Sequence, residues 1–148
     1  MAIVCCDFDG TVCTHEYPNV GKDIGAVPVL KALVENGHKI ICCTMRGPGT
    51  KEEADAKAWF KQNGIPLYGF NENPDQASWS QSRKVYGHIY IDDAALGCPL
   101  CYPRDNSTRP FVDWYDVTVW LEDRGLIDES QADECYRHLR PTLKNFSV

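Results

Sequence analysis

The 148 residues carry a formal charge of −6 and a pI near 5.1, a balance that argues against gripping duplex nucleic acid, which takes clustered Lys and Arg. One domain spanning 1–148 accounts for the length and can bury a core without staples. The opening MAIVCCDFDG has no basic run and meets Asp7 too early for a secretory signal, and no apolar stretch reaches membrane-spanning length, so the expectation is a cytoplasmic protein with no membrane partner.

In chain order, AIVCC (2–6) reads as a buried strand. GAVPVLKALVENG (25–37) is a helix with Val27, Leu30, Leu33 and Val34 on one face, closed by Gly37. HKIICC (38–43) is a second strand, and TKEE (50–53) has the form of a capping box for a helix running to Asn63. IPLYGF (65–70) and HIYI (88–91) are further strands, separated by a polar, irregular stretch over 71–83. Two more helices are expected near 110–124, around Phe111, Trp114, Val117 and Leu121, and near 128–139. This alternation predicts a three-layer α/β/α sandwich on a parallel, Rossmann-like sheet.

Eight cysteines are many for such a chain, but Cys5, Cys6, Cys42 and Cys43 lie in strand-like runs where Cys acts as a small hydrophobe. Cys98 and Cys101 form a C-x-x-C. A zinc site needs a second ligand pair, which Cys135 and His138 offer on paper; a surface loop is the plainer reading.

The chemistry gathers at strand ends. Asp7 and Asp9 follow the first strand, Thr44 the second, and Asp92 and Asp93 the fourth. In a parallel sheet those ends share one edge, where open α/β folds bind ligands. So many carboxylates together require a counter-charge, and an all-oxygen cluster suits Mg²⁺, which keeps waters and accepts a substrate phosphate. Gly10 would let the chain turn, its neighbouring amides forming an anion nest. Arg46 follows Thr44 and Met45 on the same edge and is placed to bind substrate. Tyr17 and Trp79 fall in the loops expected above the site, with core packing the default for Trp79, and His15 is read as solvated.

With these motifs the sequence resembles the haloacid dehalogenase (HAD) superfamily. DFDGTV, CTMR, SRK and YIDDAALG match its phosphatase motifs in kind and order over roughly residues 1–97, with the compact spacing of deoxyribonucleotidase-like members. Receiver domains use similar residues in a different order. The resemblance implies that Asp7 attacks phosphorus to form an aspartyl-phosphate and that Asp9 protonates the leaving oxygen and later deprotonates water. Thr44 would bind a phosphoryl oxygen and Lys84, or failing it Lys51, would offset phosphoryl charge. Mg²⁺ would sit on Asp7, the Asp9 carbonyl and Asp92, with Asp93 as a further ligand or the partner of one. Superfamily members often insert a cap domain after the first or third strand, but 13–24 and 71–82 are too short to build one. The expectation is therefore a capless phosphatase for a small phosphate ester of the nucleotide or sugar class, whose open site an oligomeric neighbour could enclose. The alternative is a catalytically silent phosphate-binding or regulatory protein on the same fold.

Overall fold

Four short runs of β-branched, aromatic and thiol side chains pair side by side as β1 (Ile3–Cys6), β2 (Lys39–Cys42), β3 (Leu67–Phe70) and β4 (Ile89–Ile91) in a computed structural model that describes residues 1–147. All pairings are parallel and the order is β3-β2-β1-β4. Cys6 stands level with Cys42 on one side and Ile91 on the other, so the central strands end together. Asp7 continues the ladder by donating its amide to the Ile91 carbonyl at 2.9 Å, and Cys43 donates to the Cys6 carbonyl at 2.9 Å.

The helices are α1 (Ala26–Glu35), α2 (Lys51–Gln62), α3 (Trp114–Asp123) and α4 (Glu129–Lys144). Period-two alternation sends Val4, Cys6, Ile40 and Cys42 into one large core with buried residues of all four helices. Ile3, Cys5 and Ile41 face the other way, joined by Cys43, Tyr68 and Val85. Among the described residues no α-helix contributes to that second cluster. The expected second helical layer is replaced by the irregular strip 71–87, whose regular structure is one 3-10 turn over Gln76–Ser78.

Handedness explains the division. The chain steps one way from β1 to β2 to β3, so right-handed crossovers put α1 and α2 on one face, and the return from β3 past β1 to β4 must cross on the opposite face. A strip without helical hydrogen bonds needs other partners for its backbone. Gln76 supplies them: its side-chain amide donates to the carbonyls of Ser82 (3.1 Å) and Lys84 (2.8 Å) and accepts from the Tyr86 amide (2.8 Å).

Local signals account for most boundaries. The buried stripe of α1 is Ala26, Val29, Leu30, Ala32 and Leu33, with Val27 and Val34 only packed against its margin, and Gly37 follows at φ 84°. Thr50 caps α2 by accepting from the Glu53 amide at 3.2 Å, while the Glu53 carboxylate reaches back to the Gly49 amide, at 3.5 Å, and not to that of the cap.

The tail departs from expectation. Residues 98–112 form a small antiparallel hairpin, β5 (Leu100–Cys101) and β6 (Phe111–Val112), and α3 begins only at Trp114, capped by Asp113. Cys101 is thus a buried strand residue, Cys135 is buried in the core, and His138 faces Asp23 at 3.5 Å. These thiols and that imidazole make no metal cluster among the described residues. Helix α4 passes through Pro141 because Leu139 before it and Phe146 after it are buried, the latter edge-on to Phe111 at 5.0 Å. No helix of the described residues is long and apolar enough to cross a membrane.

One bond ties this tail to the strand ends: the indole of fully buried Trp114 donates to the Thr11 carbonyl at 2.7 Å. Trp114→Phe keeps most of the packing but orphans that carbonyl, so denaturant unfolding should register a loss of roughly 1–3 kcal/mol. An unchanged midpoint would show that the bond has no such weight.

Candidate functional site

At the C-terminal edge of the sheet lies a cleft of about 510 Å³. Asp7, Asp9, Thr44, Met45, Arg46, Asp92 and Asp93 all line it, together with His15, Tyr17 and Arg109. Strand pairing explains the meeting of Asp7 and Asp92, each one residue beyond the paired Cys6 and Ile91.

Three of the acids form a tight group: one oxygen from each of Asp7, Asp92 and Asp93 lies within 4.8 Å of the others. The hydroxyl of buried Thr11 lies 3.1 Å from Asp7 Oδ2 and 3.3 Å from Asp93 Oδ1, and it accepts from the Asp93 amide at 3.2 Å. Its single proton can serve only one of the two carboxylates at a time. Asp92 accepts from the Ala94 amide at 2.8 Å. Gly10 turns the chain at φ 78°, and a Cβ there would come within 2.6 Å of Asp93 Oδ2, so residue 10 needs to be Gly both for its conformation and for space. Its amide is not part of a nest. Gly10, Thr11 and Val12 donate within the turn, to the carbonyls of Cys13 and Phe8.

The charges are arranged unevenly. Burial first, and then the neighbouring Asp92 carboxylate, push the Asp7 acid up to about 7, against donation from the Phe8 amide. An oxygen-only triad with one member reluctant to ionise alone fits a hard divalent cation. The Asp9 side chain stands apart from the triad. Arg46 grips it with a fork, Nε to Oδ2 at 2.9 Å and Nη2 to Oδ1 at 2.8 Å.

Arg46 is therefore not a substrate-binding residue. It is 1% exposed, and its remaining donors go to the carbonyls of Glu52 (2.9 Å), Asn19 (2.9 Å) and Pro18 (3.4 Å). Those bonds use all five N–H groups a guanidinium has. Its plane also lies against the rings of Phe8, at 4.7 Å, and Tyr17, at 5.4 Å.

Thr44 donates its amide to the Asn71 side chain at 2.7 Å and holds the next turn by accepting from the Arg46 amide at 3.2 Å. Met45 is 98% exposed at the rim. The structure does not bring Lys84 to the cleft. The strip 71–87 carries it down the second sheet face toward the start of β4, where its ammonium sits 5.4 Å from the Tyr90 ring centroid. Lys51 pairs with Asp55 at 2.6 Å on the surface of α2. Trp79 is neither core nor overhang: it is exposed and edge-on to Tyr86, 5.2 Å away. Thr11 and Arg109 are the site residues that sequence reasoning passed over, and His15, read there as merely solvated, lines the cleft. Thr11 stood within the D-x-D-G-T run, whereas nothing in NSTRPFV marks Arg109.

Two outcomes follow. In the unfolded chain Asp7 would titrate near 3.8, so between that value and about 7 the folded, metal-free state holds the extra proton. This group's contribution to stability is then full below pH 3.8 and is lost as pH rises through about 7. Melting curves in EDTA should show that decline, and Asp7→Asn should flatten it; parallel curves for both proteins would refute the assignment. Arg46→Met, which leaves Asp9 facing no partner, should cost roughly 3–5 kcal/mol by denaturant unfolding.

No family model matches the chain, and no curated protein sequence does. Among solved structures it is similar to a conserved protein from Bacteroides thetaiotaomicron, with a TM-score of 0.62 and 25% identity over 88% of this chain and 95% of that one.

Proposed function

We infer that the chain is a HAD-type phosphatase that hydrolyses small phosphate monoesters through an aspartyl-phosphate on Asp7. The observation that carries this reading is the meeting of Asp7, Asp92 and Asp93 beside Thr44 at the strand ends of a parallel sheet. In this reading the fold is the capless, Rossmann-like HAD sandwich, with the strip 71–87 in place of most of one helical layer. Its eight unpaired thiols suit a reducing cytoplasm.

Asp7, Asp92 and Asp93 would hold Mg²⁺. When bound, the ion neutralises their mutual repulsion and the negative charge of the phosphoryl group. The rest falls to the chain. A carboxylate oxygen of Asp7 forms a bond to phosphorus as the ester P–O bond breaks, and Thr44 donates to a phosphoryl oxygen. Asp9, entering the step with a proton on a lone pair outside the Arg46 fork, gives it to the departing alkoxide and then takes one back from the water that hydrolyses the acyl phosphate. Arg46 fixes the plane of Asp9 while leaving each carboxylate oxygen a second lone pair for that proton. The open cleft, with only His15 and Tyr17 of the 13–24 loop above it, favours breadth among small esters over tight selection.

A panel of phosphate esters, including an aryl phosphate, tests this with Mg²⁺ present. Turnover should be lost with EDTA and in Asp7→Asn, and Asp9→Asn should hurt alkyl esters more than nitrophenyl phosphate. Mg²⁺ should raise the Tm of the wild type and not that of Asp92→Ala. A wild type that binds Mg²⁺ but turns over no ester would favour the silent phosphate-binding reading.

A further inference from the structure

We propose that Arg109 is the cationic side chain that binds the phosphate group in this cleft, in the place where the sequence offered Lys84. The inference rests on the phosphate-ester reading above, and it comes from counting charges around the cleft. Four carboxylates line it, and beside the imidazole of His15 the basic side chains among its lining residues are the guanidinium groups of Arg46 and Arg109. Arg46 has spent its donors on Asp9 and backbone carbonyls. Lys84 lies on another face, over Tyr90. Arg109 alone of these brings a guanidinium with no ion pair and no hydrogen bond among the described residues, and a planar fork of donors matches a phosphate.

Its placement is built and not incidental. Val112, three residues on, donates its amide to the Gly10 carbonyl at 3.0 Å, in the very turn that carries Asp9 and Thr11. Phe111 and Val112 are fully buried, and Asp113 donates to the Pro99 carbonyl at 2.8 Å, so the end of the hairpin is fastened on both sides. Pro110 biases Arg109 itself toward extended backbone. The hairpin thus presents a fixed root and a long, exposed, unspent side chain at the rim of an acidic cleft.

The test uses inorganic phosphate as ligand, with Mg²⁺ present, and reads binding by the shift in Tm alongside turnover of an aryl phosphate. Arg109→Ala should keep the wild-type Tm without ligand, because the side chain is exposed, but weaken phosphate binding roughly ten- to hundredfold. It should lower kcat/KM by a similar factor. Arg109→Lys should recover part of both, while Arg104→Ala in the same loop and Lys84→Ala should match wild type. Equal phosphate affinity in Arg109→Ala and wild type would overturn the proposal, as would a loss confined to Lys84→Ala or phosphate protecting neither protein. If phosphate protects the wild type through Arg109 yet no ester is hydrolysed, the anion site stands and the phosphatase reading falls.

Discussion

The pairing of Arg46 with Asp9 holds the functional edge together. Burying two charges is costly unless the geometry is good and every donor is used. Here the fork is bidentate, and the three remaining donors close onto carbonyls from the 13–24 loop and the first turn of α2. One side chain thereby fastens the turn after β1, the turn after β2, an overhanging loop and a helix start. It also divides the acids into two kinds. Asp9 is neutralised by the protein itself, while Asp7, Asp92 and Asp93 are left as a group whose repulsion only a proton or a cation can relieve.

That division answers why a chain would place two carboxylates two residues apart. Asp7 and Asp9 do not share a partner. Asp7 turns toward β4 and the acids there, and Asp9 turns toward β2 and Arg46. After them the chain spends its smallest residue, Gly10, at the point where Asp93 approaches, and then Thr11, whose hydroxyl mediates between Asp7 and Asp93. Each residue of the D-x-D-G-T run therefore has a separate physical task. Phe8 is the one whose side chain fills the core, packed edge-on to Trp59 at 5.8 Å.

Features set by local pattern were legible in the sequence: the four parallel strands, the Thr50 cap of α2, the glycine that ends α1, and the strand-end placement of Asp7, Thr44 and Asp92. What failed depended on distant packing. Arg46 looks like any exposed arginine until the fold surrounds it with Asp9, Pro18, Asn19 and Glu52. Lys84 follows a serine-rich, helix-poor stretch that can be drawn toward either edge of the sheet. Its course was settled by Gln76, a polar residue whose burial beneath the strip no periodicity announces. The hairpin strands β5 and β6 are too short to leave a signature, and Phe111 and Val112 were absorbed into the apolar pattern of the helix that follows them.

The bond from Trp114 to Thr11 spans 103 positions of sequence, and with the neighbouring link from Val112 to Gly10 it makes the acidic turn a meeting of chain segments far apart. Long-range closure of this kind carries its entropy cost before its reward, and so is slow compared with forming helices. The pairs β1–β2 and β2–β3 can form from contacts of modest separation, whereas β4 reaches β1 from far along the chain and the turn bearing Asp9 gains its final support only when the hairpin and α3 arrive. By this contact-order argument the chemistry is expected to assemble late in folding, and a chain caught before it would have its first three strands but not its site.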